Sequence, residues 1–193
     1  MLPVGKSNRG ADHPTPLTPL EIIRRRRRRL MDKASIVGFF TRLALLIAMV
    51  AVVFGLVFGV MPAPNDDMSP RISAGDLLLY YRLNDEWLNG DVVVVQQQGQ
   101  RYVGRIVARG GDTVEITDQA TLVVNGSTVI ESDIYYSTPP YESGVTYPVT
   151  LAQDEMFVLC DYREGAKDSR YYGPVNTQDI LGKVITVVRR SGL

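Results

Sequence analysis

Apolar and polar positions divide the chain into three stretches. Up to about Thr18 the sequence is rich in Pro, Gly, Ser and Asn and has almost no apolar periodicity. That composition predicts a disordered tail, because too little apolar surface is available to offset the entropy of ordering. Leu20 to Lys33 holds the arginine run Arg24 to Arg29 and predicts a short basic helix. No charge then occurs between Arg42 and Asp66. The apolar core of that interval, Leu43 to Met61, approaches the roughly 20 residues a helix needs to cross a bilayer. Ser35 to Thr41 extends it on the basic side, and Gly55 and Gly59 give a small-xxx-small spacing, which marks helix pairing or arises equally well from apolar composition by chance.

Beyond Met61 the pattern changes to short β-rich runs separated by Gly-Asp turns. Leu77 to Arg82, Val92 to Val95, Tyr102 to Val107 and Thr113 to Ile116 are predicted strands, as are Glu155 to Leu159 and Ile180 to Val188. Thr121 to Val124 and Ser127 to Glu131, joined by Asn125-Gly126, give the best hairpin signal in the chain. Asn125-Gly126-Ser127 also fits a glycosylation sequon, but the turn alone accounts for it. Ser132 to Pro148, rich in Tyr, Pro and Ser, reads as a long loop. The fold class expected is mainly β, a barrel-like or sandwich domain behind one N-terminal transmembrane helix. The expected divisions are a disordered and basic tail at 1–33, a membrane helix at 34–61 with its core at 43–61, and a β domain at 62–193.

Charge sets the orientation. The net charge is zero, but most of the cationic charge before the apolar run lies in Arg24 to Arg29, and the chain after the run is mildly acidic. A basic flank before and an acidic flank after place the N-terminus in the cytoplasm and the β domain outside. The run is too long for a cleaved signal peptide, and no small-x-small site follows it. Arginines can bind nucleic acid through phosphates. Directly before a membrane span they fit anionic lipid better, so a plasma membrane and no nucleic acid are expected.

Composition closes most chemistries. The only histidine is His13 in the tail, and the only cysteine is Cys160. That excludes a Ser-His-Asp triad, a Cys-His pair and a disulfide framework in the β domain, and leaves no metal or cofactor expected. A serine-lysine dyad stays open, with a desolvated lysine as base. Beyond the apolar run only Lys167 and Lys183 are present, and both read more naturally as surface lysines. Asp66 and Asp67 are adjacent, and neighbours in extended chain point to opposite faces, which disfavours a carboxylate dyad.

Four segments in order carry a resemblance. They are Asp67-Met68-Ser69-Pro70, then Gly90-Asp91-Val92-Val93-Val94, then Gly104-Arg105-Ile106-Val107-Ala108-Arg109-Gly110-Gly111-Asp112. The last is Cys160-Asp161-Tyr162 with Asp168-Ser169-Arg170 and Gly173-Pro174-Val175. Together, behind an N-terminal anchor, they resemble the type I signal peptidases, membrane-anchored serine-lysine endopeptidases that remove signal peptides from exported proteins. That family reads Ser-Met-x-Pro at its nucleophile and Lys-Arg-hydrophobic-hydrophobic-Gly at its base. It reads Gly-Asp-Asn where this chain has Cys160-Asp161-Tyr162.

The departures fall on the reacting positions. By the resemblance, Asp67 stands in the nucleophile slot and Gly104 in the base slot. Ala166 stands where many members hold a serine that supports the lysine. Ser69 is a poor substitute nucleophile, since one residue past Met68 in extended chain it points to the opposite face, and it has no base. Aspartate and glycine at the dyad positions match the inactive signal-peptidase-like proteins found beside pilus gene clusters in Gram-positive bacteria, which assist sortase-driven pilin polymerisation.

What the resemblance implies is a non-catalytic factor that binds an extended polypeptide, such as a pilin or an exported preprotein, beside a sortase. The alternative is an unconventional active signal peptidase. Substrate would lie as an added strand, with Met68, Pro70 and Ile72 on one side and the strand around Arg105 on the other. Loss of the lysine would leave space beside Gly104. Asp67 would either favour a cationic group of the partner, or accept loop N–H groups or pair with Arg105 or Arg170. Arg105, Asp168, Ser169 and Arg170 would be framework supports. Tyr135-Tyr136 and Pro139-Pro140-Tyr141 form either a recognition surface or an ordinary packed loop.

Overall fold

The computed structural model describes residues 18–142 and 144–189. The tail expected before Thr18 lies outside them.

The basic segment and the apolar run form one helix, α1, Pro19–Val52. Thr18 and Glu21 close its start. Glu21 Oε2 accepts from the Thr18 N–H at 2.8 Å and from the Thr18 hydroxyl at 2.9 Å, and Pro19 occupies the first helical position. The glutamate half of a capping box is thus formed, with a proline at N1, so helix formation begins well before the membrane-length segment. Met31–Val57 has a mean hydropathy of 2.5 in its most apolar window, and is long and apolar enough to be a candidate membrane span.

The apolar run leaves the helix earlier than its composition predicts. After Val52 comes one wide helical turn, Val53–Val57, and then strand β1, Phe58–Pro62. β1 pairs antiparallel with β2, Leu77–Tyr81, so Phe58 to Met61 are sheet residues rather than the end of a span. Apolar content alone does not separate a helix from a buried strand; the pairing partner decides it. Gly59 is therefore not part of a helix-pairing motif. It lies opposite Tyr80, and a Cβ there would be 2.0 Å from Cζ of the Tyr80 ring.

The remaining strands are β3 (Val92–Gln97), β4 (Gln100–Arg109), β5 (Thr113–Ile116), β6 (Leu122–Val124), β7 (Ser127–Thr128), β8 (Val149–Thr150), β9 (Glu155–Leu159), β10 (Val175–Asn176) and β11 (Ile180–Val188). A four-residue helix, α2, spans Ser169–Tyr172. The strands make two antiparallel sheets, one of order β1-β2-β11-β3-β4-β9-β10 and one of order β7-β6-β5-β8. The fold is thus mainly β behind one N-terminal apolar helix. The Asn125-Gly126 hairpin forms as its sequence predicts, with both residues at positive φ (52° and 76°). Its second strand stops at Thr128, short of the expected Glu131.

Alternation along β4 distributes the site. Val103 enters a core with Met61, Met68, Ile72, Tyr80 and Cys160. Ile106 enters a different core, with Val93, Val95 and Val158. Successive side chains of a strand face opposite sides of the sheet, which sends neighbours at 103 and 106 into separate interiors.

Candidate functional site

Asp67 lies in the turn after β1. The Asn65 side-chain amide donates to Asp67 Oδ2 at 2.7 Å, and Asn65 Oδ1 accepts from the Asp67 N–H at 3.3 Å. The Asp67 carbonyl accepts from the Tyr162 N–H at 2.8 Å, which ties this turn to the late motif. The carboxyl is half-buried, and burial pushes its pKa above the ordinary carboxylate value. The Asn65 amide and the Lys167 backbone N–H oppose that rise, while Asp168 and Asp66 add to it.

Asp67 does not pair with either arginine named from the sequence. Arg105 is committed to Asp161, through Nε at 2.8 Å and Nη2 at 2.6 Å, and to the Gly90 carbonyl at 2.8 Å. Arg170 grips Asp168 through Nε at 2.9 Å and Nη2 at 2.8 Å, and its Nη1 reaches the carbonyls of Arg163 and Pro139. Both arginines are saturated by carboxylates whose fork geometry suits the guanidinium. The Asp67 carboxyl accepts from the Asn65 side-chain amide and the Lys167 backbone N–H instead.

The segment after Asp67 is coiled, not extended. The Ser69 N–H donates to the Asp66 carbonyl at 2.9 Å and the Ile72 N–H to the Met68 carbonyl at 3.0 Å. The extended-chain argument that set Ser69 on the face opposite Met68 therefore does not apply. Met68 and Ile72 are buried in the same core as Val103, whereas Pro70 is exposed. The three residues expected to line one open wall thus do not share one: two pack directly against the strand they were to face. Met68 is pinned from behind, its Sδ accepting from the Asp161 N–H at 3.4 Å. Ile72 and Arg105 do face a common pocket of about 190 Å³, together with Val92 and β11.

Gly104 lies on β4 opposite Val93. The space expected beside it is filled. A Cβ at 104 would be 2.6 Å from Cγ1 of Val158 and 3.2 Å from the Leu159 carbonyl oxygen. Cys160 is buried, its N–H donates to Asp168 Oδ2 at 3.1 Å, and its thiol lies 3.4 Å from the Val103 carbonyl oxygen. Burial first, then the nearby Asp168 and Asp67, push that thiol well above its ordinary pKa, so it is not a nucleophile. Ala166 packs in the same core, and its carbonyl accepts from the Tyr141 hydroxyl at 2.7 Å.

Among the described residues, neither lysine of the β domain hydrogen-bonds a serine. Lys183 is ion-paired to Asp91 at 2.7 Å, and Lys167 Nζ lies 5.3 Å from the centre of the Tyr171 ring. Among the described residues no group of three or more metal-ligating side chains is assembled. Asp168, Ser169 and Arg170 are interior braces. Asp168 caps α2 by accepting from the Arg170 N–H at 3.1 Å, and Ser169 Oγ accepts from the Val158 N–H at 3.0 Å.

The sequence reading passed over Arg163, which is fully buried. It forms two 2.8 Å bonds to Glu131, one of 2.9 Å to Thr138 Oγ1 and one of 2.6 Å to the Cys160 carbonyl. With Arg170, it clamps the 131–141 loop onto the late motif. Tyr136 stacks edge-on against Tyr162 at 5.0 Å and Tyr141 lies beneath Arg170 at 4.5 Å, so much of the aromatic loop is packed while Tyr135 stays exposed. The only local hint was an arginine between Asp161 and Glu164; its partner Glu131 lies 32 residues away.

The family model described as signal peptidase, peptidase S26, matches residues 36–189. The chain belongs to the signal peptidase family. Within it, the chain is 32% identical over 133 residues to a probable signal peptidase I-2 of Synechocystis sp., covering 62% of this chain and 58% of that one. It is 27% identical over 135 residues to a signal peptidase I of Leptolyngbya laminosa, covering 63% of this chain and 64% of the relative. The chain thus spans under two thirds of the length of both. An inactive signal peptidase IA of Staphylococcus aureus is 24% identical over 155 residues, covering 74% of this chain and 86% of that one. A crystal structure of a signal peptidase I from Enterococcus faecalis matches with a TM-score of 0.44 at 27% identity, covering 53% of this chain and 98% of the other.

Proposed function

We propose that this signal peptidase relative is a membrane-anchored factor that holds an extended polypeptide without cutting it. The observation that carries the reading is the state of the two positions assigned to the dyad. At one, Asp67 is tied to Asn65; at the other, Val158 fills the room a lysine would take. A serine-lysine mechanism needs a hydroxyl and a desolvated amine in contact, and the β-domain lysines are engaged with Asp91 and Tyr171 instead. The name of the Staphylococcus relative supports the presence of inactive members in the family.

In this reading α1 is a single span with its arginine run on the cytoplasmic side and the β domain outside, as the positive-inside rule favours. The held segment is a pilin or another exported polypeptide, presented to a sortase. Affinity comes from backbone pairing and apolar contacts. Asp67, whose carboxyl burial disfavours as an anion, gains most from a cationic group of the partner.

The names of the cyanobacterial relatives favour a second reading, an unconventional active peptidase. The two are separated by incubating the full-length protein in detergent with a preprotein, beside its Ser69→Ala variant. No cleavage, together with capture of the preprotein or a pilin that weakens in Asp67→Ala, supports the first reading. Cleavage that disappears in Ser69→Ala establishes the second.

A further inference from the structure

Two pockets meet at Arg105. The first, about 320 Å³, lies between β4 and the segment following β7, with Val107, Val124 and Ile134 among its walls. The second, about 190 Å³, lies between Ile72 and the Val184 to Val187 part of β11. Arg105 lines both, and its guanidinium is fully engaged with Asp161 and Gly90, so it is a fixed floor.

A different arginine joins the two rims. Arg71 lines the second pocket, Asp133 lines the first, and Arg71 Nη2 lies 2.5 Å from Asp133 Oδ2. This pair is open to solvent, at 48% and 57% side-chain exposure. Aliphatic surface is left uncovered on either side of it, with Ile130 of the first pocket 90% exposed and Ile185 of the second 49% exposed. The order of chemistry across the surface is apolar, ion pair, apolar.

We infer that the two pockets are halves of one groove, which takes an extended polypeptide carrying a carboxylate flanked by aliphatic side chains. The carboxylate displaces Asp133 from Arg71. The exposed pair contributes little and Asp133 returns to water at little cost, while the new pair, covered by the bound segment, is screened less than the open one it replaces. Burial of the aliphatic side chains supplies the affinity and the carboxylate the selectivity. The inference rests on the polypeptide-holding reading and names the chemistry of the segment held.

The test uses the full chain in detergent micelles and two fluorescein-labelled peptides, Gly-Val-Leu-Asp-Leu-Val-Gly with blocked ends and the same peptide with Asn for Asp. Fluorescence anisotropy should give about three- to fivefold tighter binding of the Asp peptide at low salt, with the margin lost in about 0.5 M salt. Arg71→Ala should remove the margin and leave the Asn peptide unchanged. Asp133→Asn should strengthen binding of the Asp peptide, because the resident competitor is gone. Equal binding of the two peptides, or a margin that survives Arg71→Ala, overturns the groove assignment and leaves the polypeptide-holding reading standing. Binding of neither peptide removes both.

Discussion

Val158 occupies the room that a side chain at position 104 would need, its Cγ1 standing 2.6 Å from where a Cβ of residue 104 would be. Both residues lie in the interior, on neighbouring strands of the large sheet. Restoring a lysine there should therefore not restore a base. Gly104→Lys should lower stability by about 1–3 kcal/mol through overpacking, before any cost of burying its charge. Asp67→Ser with Gly104→Lys should show no preprotein cleavage. Adding Val158→Ala should recover part of the lost stability, read from chemical denaturation midpoints.

Asp67 should weigh on stability above the acid range. Its carboxyl is raised above 3.8 in the folded chain, chiefly by burial. A carboxyl that holds its proton more tightly when folded contributes nothing adverse below the unfolded pKa, and stability falls as pH rises from there through the folded pKa. Asp67→Asn keeps an acceptor for Asn65 and cannot ionise. It should be more stable than the parent at neutral pH, with the difference closing as pH falls below about 4. A difference that widens on acidification would show that the folded chain lowers this pKa.

Several features were legible because their causes are local. The Asn125-Gly126 turn needs only two residues at positive φ, and the β-rich runs need only alternation. The four motifs were legible as a string, and the structure brings Arg105 to Asp161 and Asp168 to Arg170 from that string. Position 158 was not legible, because nothing in Val158 itself says that it lies beside Gly104; the antiparallel pairing of β4 with β9, Arg105 opposite Leu159 and Ile106 opposite Val158, sets that neighbour. The coiling of Met68 to Ile72, and the burial of Met68 and Ile72 against Val103, likewise depend on strands 30 to 40 residues away. Arg163 was missed for the same reason, since the acid that neutralises it comes from the far side of the hairpin.

The Arg163 and Arg170 clamp should fail cooperatively. Both guanidiniums are fully buried, and each is neutralised by a carboxylate. Removing one partner of a buried pair strands the other charge, at a cost of about 3–5 kcal/mol. Arg163→Ala releases Glu131 and Thr138 together, so limited proteolysis should then cut between residues 131 and 141, where the parent resists. Arg170→Lys keeps the charge but not the fork, and should lose the bonds to Pro139 and Arg163. Its cleavage pattern should match that of Arg163→Ala. An unchanged digest in both variants would show that these arginines do not hold the loop.

Gly59 and Gly55 offer a test of where the helix ends. Were both on one helix, alanine at either would raise stability by about 1 kcal/mol, because glycine is the poorer helix former. The structure separates them. Gly55 has open space around the position of an added Cβ, whereas at Gly59 that Cβ would meet the Tyr80 ring at 2.0 Å. Tyr80 is 1% exposed and cannot swing aside without vacating the core. Gly59→Ala should therefore cost about 1–3 kcal/mol, while Gly55→Ala is neutral or mildly stabilising. Tyr80→Leu should be less damaging in the Gly59→Ala background than alone, since the two changes relieve one clash and must couple. A stabilising Gly59→Ala would return Phe58 to Met61 to the helix and remove β1 from the sheet.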